Sequence, residues 1–303
     1  MAILRLFRKK IIDWDYLQQN SNDILAEGLS LLLEGHSCEF GGRHPKEPGN
    51  YVISYSEIPL YIGEATDLEK RLKQHYKGST FYRNYCKNAV KLNLPSNLSM
   101  DDFRCRFMPT KIGRKELEEF GIVNLPAPLN EFHKDKRDRF TPVTSSQSWE
   151  IVQENALKLL EQGERIILFQ RPFIWNEIKP LAVPGIYIIF NEQEELIYIG
   201  ESTDLKERYD THSRRTHFSA FRRHVATKIL SLNLKTKAEL GYKSADNKRR
   251  HVTSSEDEEI NRYISKCSII TMPVYFGRLE LEERLIKRYQ PLLNRKGNKN
   301  IDD

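Results

Sequence analysis

The chain lacks any run of 18 or more apolar residues, so no membrane-spanning helix is expected. Its first ten residues mix basic and apolar side chains. They form no apolar stretch leading to small residues, so no cleavable leader is expected and the chain reads as cytoplasmic. Cysteine is scarce. The four cysteines (Cys38, Cys86, Cys105 and Cys267) form no CxxC pair, and three of them fall in the first half. That distribution argues against a repeated disulfide or zinc framework and fits free thiols in a reducing compartment. His36, Cys38 and His44 lie close in sequence, but no fourth ligand accompanies them. No zinc finger or helix-turn-helix segment is evident either. Charge of one sign is not in great excess, with a net of +6 and a pI near 9.0.

What is present is a duplication. Pro184-Gly185-Ile186-Tyr187-Ile188-Ile189-Phe190 is followed by Leu196-Ile197-Tyr198-Ile199-Gly200-Glu201-Ser202-Thr203-Asp204-Leu205. Upstream, Pro48-Gly49-Asn50-Tyr51-Val52-Ile53-Ser54-Tyr55 is followed by Leu60-Tyr61-Ile62-Gly63-Glu64-Ala65-Thr66-Asp67-Leu68. Arg71 and Arg208 stand eight residues after Gly63 and Gly200, and His75 and His212 stand four further on. Glu118 precedes Asn130 by twelve residues, as Glu282 precedes Asn294. Trp14 and Trp149 open matching leader segments, 37 and 38 residues before Tyr51 and Tyr187. Two units are too few for a solenoid. The 303 residues are enough for two domains, each with its own core. We read a first domain at 1–140 and a second at 141–303, joined near 141–146.

Basic residues cluster around these words and alternate with aromatic ones. Arg208, Arg214, Arg215, Arg222 and Arg223 interleave with His212, His217, Phe218 and Phe221. Lys70, Arg71, Lys73, Lys77 and Arg83 interleave with Tyr76, Phe81, Tyr82 and Tyr85, and Lys248, Arg249, Arg250 and His251 form a third group. A charge run alone is usually a solvated face. Arginine mixed with aromatics beside a polar site favours a phosphate-backbone partner.

Each unit reads as α+β. Helical spacing predicts leader helices over 14–33 and 148–163. Hairpins are expected from 50–55 with 60–62 and from 185–190 with 195–199. Thr66-Asp67 and Thr203-Asp204 offer N-caps for the helices that carry the Arg–His pairs. Further helices are predicted at 81–92 and 218–232, third strands at 103–108 and 268–274, and last helices at 115–123 and 279–289. Each unit therefore reads as a hairpin and a third strand set among helices. The second carries a charged surplus at 235–261, to be either an ordered DNA-facing insertion or a loop.

Period-two geometry lets both tyrosines of a hairpin point to one surface. Helical spacing puts Arg208 and His212 on one face. One carboxylate, one arginine, one histidine and two phenols make a poor metal-only cage but fit phosphodiester hydrolysis. The carboxylate would hold Mg²⁺, the arginine would neutralise charge on the phosphorane, and a Tyr or His would take the water's proton. Singly, each residue is as readily explained by packing or solvation. Together, at spacing kept twice, they point to a site.

Gly185-Ile186-Tyr187 and Tyr198-Ile199-Gly200, with Glu282, Pro291 and Asn294, resemble the GIY-YIG nuclease superfamily. The resemblance covers about two thirds of the chain in two blocks, and it implies in each a compact core with a small three-stranded antiparallel sheet flanked by helices. It implies cleavage of DNA, double-stranded here, with one divalent cation (Mg²⁺ or Mn²⁺) per site. It implies Tyr187 or His212 in water activation, Tyr198 near the phosphate, Arg208 as phosphate clamp, Glu282 as metal ligand and Asn294 as support. Tyr51, Tyr61, Arg71, His75, Glu118 and Asn130 occupy the matching places of the first copy. That copy departs only at Asn50 and at Ala127, which stands where the second has Pro291, so it is expected to be active too. Two sites in one chain suggest paired strand cuts by a monomer acting as a pseudo-dimer, or by a homodimer, in restriction or defence. A repair or mobile-element nuclease, or a DNA-binding module with decayed sites, is the alternative.

Overall fold

Runs of β-branched and aromatic residues at 49–55 and 185–190 form the middle strands of two antiparallel sheets in the computed structural model, which describes residues 12–78, 80–130 and 147–294. The N-terminal ten residues, the charged run at 134–139 and the joining segment at 141–146 lie outside these. The chain divides into two compact units, Met1–Gln162 and Gly163–Asp303.

In the first unit, α1 (Trp14–Gln19) and α2 (Ser21–Glu34) lead to β1 (Cys38–Glu39), β2 (Gly49–Tyr55) and β3 (Ile58–Ala65). Then come α3 (Leu68–Tyr76), α4 (Thr80–Asn88), β4 (Arg104–Pro109) and α5 (Arg114–Asn124). Next, α6 (Ser148–Glu154) also belongs to this unit, and the division falls inside α7 (Ala156–Leu168). In the second unit, β5 (Phe173–Ile174), β6 (Gly185–Phe190) and β7 (Leu196–Ser202) precede α8 (Leu205–Arg214) and α9 (Ala220–His224). The unit ends with α10 (Ser254–Ile264), β8 (Ser268–Pro273) and α11 (Arg278–Tyr289). The fold is α+β, with two antiparallel sheets flanked by helices.

The sheets run in the order β1-β4-β2-β3 and β5-β8-β6-β7. The sequence led us to expect three strands in each. The fourth, β1 or β5, is a two-residue edge pairing with β4 or β8, too short to show alternation. Each predicted leader helix is broken by an asparagine. Asn20 and Asn155 leave helical geometry (φ −108° and −99°). Each side-chain amide donates to a carbonyl four residues back, Tyr16 O and Ile151 O, both at 2.8 Å. Asparagine offers the backbone this alternative to continuing a helix.

Helix α6, read from the sequence as the leader of the second domain, packs in the first unit. The Glu27 carboxylate accepts from Ser148 N and Trp149 N, both at 3.1 Å. A Cβ on Gly28 would overlap the Trp149 indole. The predicted helix 81–92 ends at Asn88 and continues as a single 3-10 turn, closed by Asn93 in the left-handed region. The predicted helix 218–232 starts at Ala220 and widens into a π-turn at Val225–Ile229.

Each unit has its own core between sheet and helices. Tyr51, Ile53, Leu68, Leu72, Phe81, Tyr85 and Phe103 form part of the first, and Tyr187, Ile189, Leu205, Phe221, Ile260 and Ile269 part of the second. Helices α5 and α11 cover β3 and β7. Each starts from a glycine in the left-handed region, Gly113 at φ 88° and Gly277 at φ 84°, where a side chain would be strained. Among the described residues no helix is long and apolar enough to cross a membrane.

Candidate active site

The two tyrosines of each hairpin are brought together by strand register. Tyr51 pairs with Gly63 across β2 and β3, and Tyr187 with Gly200 across β6 and β7. The phenol folds over the paired glycine. A Cβ on Gly63 or Gly200 would fall on the Tyr51 or Tyr187 hydroxyl. Glycine at the end of each Tyr-Ile-Gly word is therefore a requirement of close approach. The second tyrosine stacks beside the first. Tyr51–Tyr61 and Tyr187–Tyr198 each have ring centroids 6.2 Å apart and planes 26° apart.

The helix after each hairpin supplies the Arg–His pair. Asp67 and Asp204 cap α3 and α8 by accepting from Lys70 N and Glu207 N. These helices turn His75 and His212 inward. Tyr51 Oη lies 2.8 Å from His75 Nε2, and Tyr187 Oη 2.9 Å from His212 Nε2. Both histidines are buried. Desolvation, with Arg71 nearby, lowers His75 to about 3. Desolvation, with Arg208 and Arg222, holds His212 well below the usual range. Both are neutral imidazoles at physiological pH. His212 Nδ1 also contacts Ser219 Oγ at 2.7 Å, and that oxygen accepts from Arg222 N at 3.0 Å.

Burial raises all four phenols, most for the innermost pair, Tyr51 and Tyr187; Tyr198 is pushed up to about 12. Arg71 and Arg208 oppose the rise in their own units. Arg71 Nε donates to Tyr51 Oη at 3.2 Å. Arg208 acts on the charge of both Tyr187 and Tyr198, as does Glu282 with opposite sign. Glu282, on α11, accepts from Glu201 N through Oε1 at 3.2 Å. Its counterpart Glu118, on α5, is pushed up to about 8, first by desolvation and then by Glu64 and Glu119.

Asn130 and Asn294 sit behind the site and clamp the Tyr-Ile-Gly strand. Asn130 bonds Ile62 N (2.9 Å) and Ile62 O (2.7 Å), and Asn294 bonds Ile199 N (2.9 Å) and Ile199 O (2.8 Å). In each unit the two tyrosines, arginine, histidine and glutamate thus share one neighbourhood, with the asparagine bracing the strand beneath.

Three features escaped the sequence reading. Buried Arg278 donates Nε to Glu201 at 2.9 Å, and buried Arg114 lies 3.5 Å from Glu64. Both pairs were visible as matches within the repeat, four residues before each catalytic-helix glutamate and directly after each Tyr-Ile-Gly glycine. Ser219 was visible too, two residues before Phe221 as Ser79 stands two before Phe81. Third, Asn50, the departure in the first copy, is buried and donates to Arg114 O at 2.7 Å.

The basic–aromatic clusters also divide on folding. Arg222 is fully buried and bonds His212 O, Ser213 O, Thr216 Oγ1, Asp257 and Asn261. It is a structural residue, not a phosphate contact. Phe81, Tyr85 and Phe221 are core. Arg214, Arg215 and Phe218 remain exposed.

Among the described residues no group of three or more His, Cys, Asp or Glu converges as a metal site. A site with one committed carboxylate suits a hard cation that keeps several waters and takes phosphate oxygens as further ligands. The raised Glu118 carboxyl marks a half-buried position where a cation would offset negative charge.

Family models described as the GIY-YIG catalytic domain match residues 166–303 and, separately, 47–95. The second match ends before Glu118 and Asn130, whose placement rests on the geometry above. No curated protein and no solved structure matches the chain. With two catalytic-domain matches falling on two copies of one hairpin-and-helix arrangement, the chain belongs to the GIY-YIG superfamily as an endonuclease with two such domains in tandem.

Proposed function

We propose that the chain is a divalent-metal-dependent endonuclease of duplex DNA in which each unit cuts one strand. The observation that supports this most is the near-identity of the two sites. The Tyr–His contacts are 2.8 and 2.9 Å, and both Tyr–Tyr stacks are 6.2 Å. A copy that had drifted into a mere binding platform would have no reason to keep a buried histidine behind its tyrosine.

Hydrolysis adds water oxygen to phosphorus, breaks the bond to the 3′ oxygen, and leaves a 5′-phosphate and a 3′-hydroxyl. A cation bound at Glu282 or Glu118 would supply Lewis-acid polarisation of the phosphate and stabilise the leaving oxygen. Arg208 and Arg71 neutralise charge on the non-bridging oxygens. In the second unit Ser219 Oγ accepts a hydrogen bond from Nδ1–H of His212, which leaves Nε2 to accept the Tyr187 hydroxyl. The phenol oxygen then offers its lone pairs to the attacking water. Tyr198, raised to about 12, stays a phenol and positions the phosphate by donating a hydrogen bond.

Restriction or defence is the role that paired cuts from one polypeptide suit, since covalent linkage holds the second site at roughly mM effective concentration. We take the acting species as a monomer and the setting as cytoplasmic. Supercoiled plasmid incubated with Mg²⁺ or Mn²⁺ should become nicked and then linear, and EDTA should abolish both products. Binding without any cleavage in either metal would leave a non-catalytic module.

A further inference from the structure

One exposed feature of the second unit has no use in the chemistry above. His212 and Phe221 are nine residues apart, whereas their counterparts His75 and Phe81 are six apart. The longer segment is a turn that displays Phe218, 63% exposed, beside the site. The turn is tightly held. Phe218 N and Ser219 N both donate to Arg215 O (3.1 and 3.0 Å), and Arg223 donates to His217 O at 2.9 Å. Buried Arg222 ties the preceding carbonyls, His212 O and Ser213 O, at 3.0 and 3.1 Å.

Phe218 is also buttressed. Its ring centroid is 4.0 Å from that of His217, and His217 stacks on His251 at 5.2 Å and 22°. His251 comes from the charged insertion and is fixed by reciprocal backbone bonds with Lys235 at 2.8 and 2.9 Å. Phe218 lines a polar cleft together with Ser202, Thr203, Thr211, Glu207, Arg215 and the site arginine Arg208. A buttressed, exposed aromatic ring with two guanidiniums, three hydroxyls and a single carboxylate alongside matches the two surfaces of a nucleotide: a flat base and an anionic phosphate.

We propose that this cleft is a nucleotide subsite in which an unstacked base of the DNA strand lies on Phe218 while Arg215 holds the phosphate next to the one at Arg208. The inference rests on the nuclease reading of the same unit and adds an asymmetry to it: the segment that displays the platform is three residues longer in the second unit than in the first. The insertion acts as its buttress through His251.

The test uses the full chain in EDTA with a single-stranded 12-mer of thymidine containing 5-iodouracil, which forms photoadducts with rings stacked on it. Adducts mapped by mass spectrometry should fall on the 212–219 segment. Phe218→Ala should cut the yield there about tenfold, and Phe218→Trp should retain it. Because Phe218 is largely exposed, neither variant removes core packing. Adducts elsewhere only, or an unchanged yield in Phe218→Ala, overturn the subsite. Plasmid cleavage by the same preparation with Mg²⁺ separates the two ideas. Cutting without adducts at 212–219 leaves the nuclease standing and removes the subsite. Absence of cutting removes the nuclease reading.

Discussion

At Gly200 a single hydrogen in place of a side chain decides whether the Tyr187 hydroxyl can reach His212. Gly200→Ala would place a methyl on that hydroxyl and push the ring off its partner. Cleavage by the second unit should fall about 100-fold, the scale of an ångström-sized misplacement. The check is nicking of plasmid in a Glu118→Gln background, with thermal unfolding measured alongside. Residues of this kind were legible because they recur at fixed spacing: both tyrosines, the arginine, the histidine, the glutamate and the asparagine of each copy were named from the sequence. Arg222 was misread. In sequence it is one more basic residue in a run, and only the fold reveals that it satisfies buried carbonyls. The Arg278–Glu201 pair was overlooked although each member recurs at its place in the first copy, because the two are 77 residues apart and only strand and helix bring them together.

Elements were legible where a periodic signal or a cap was long enough. The Asp67 and Asp204 caps, the hairpins and the last helices came from such signals. The breaks at Asn20 and Asn155 did not, because asparagine only slightly weakens a periodic helical pattern, and the two-residue edge strands did not, because their partners lie outside a local window. The insertion of the second unit was ambiguous for the same reason. Its ends are ordered by Lys235, which bonds both Glu256 carboxylate oxygens at 2.6 and 2.7 Å, and by the capping box of Thr253 and Glu256. The Lys235 bond, then Thr253 N, lowers the Glu256 carboxyl from its ordinary 4.5 to about 2. A lowered carboxyl contributes stability that is complete above pH 4.5 and lost as the pH falls through about 2. Glu256→Gln should therefore speed amide hydrogen exchange over 235–251 at neutral pH. The difference from the wild-type protein should shrink as the pH approaches 2. An equal rate at neutral pH would show that the ion pair does not hold the insertion.

For the whole molecule, the central claim is that both units cut. Two copies of one constellation, a buried neutral histidine behind a tyrosine with an arginine and a glutamate at hand, are carried by one chain. The first copy's departures do not touch these groups: Asn50 serves a backbone carbonyl, and Ala127 precedes the clamp made by Asn130. The most direct measurement is the product distribution from supercoiled plasmid with Mg²⁺ for Glu118→Gln, Glu282→Gln and the double variant. The account predicts that each single variant accumulates nicked circles, with linear product reduced at least about 100-fold, and that the double variant makes neither. Undiminished linear product from Glu118→Gln would contradict it and assign all cutting to the second unit.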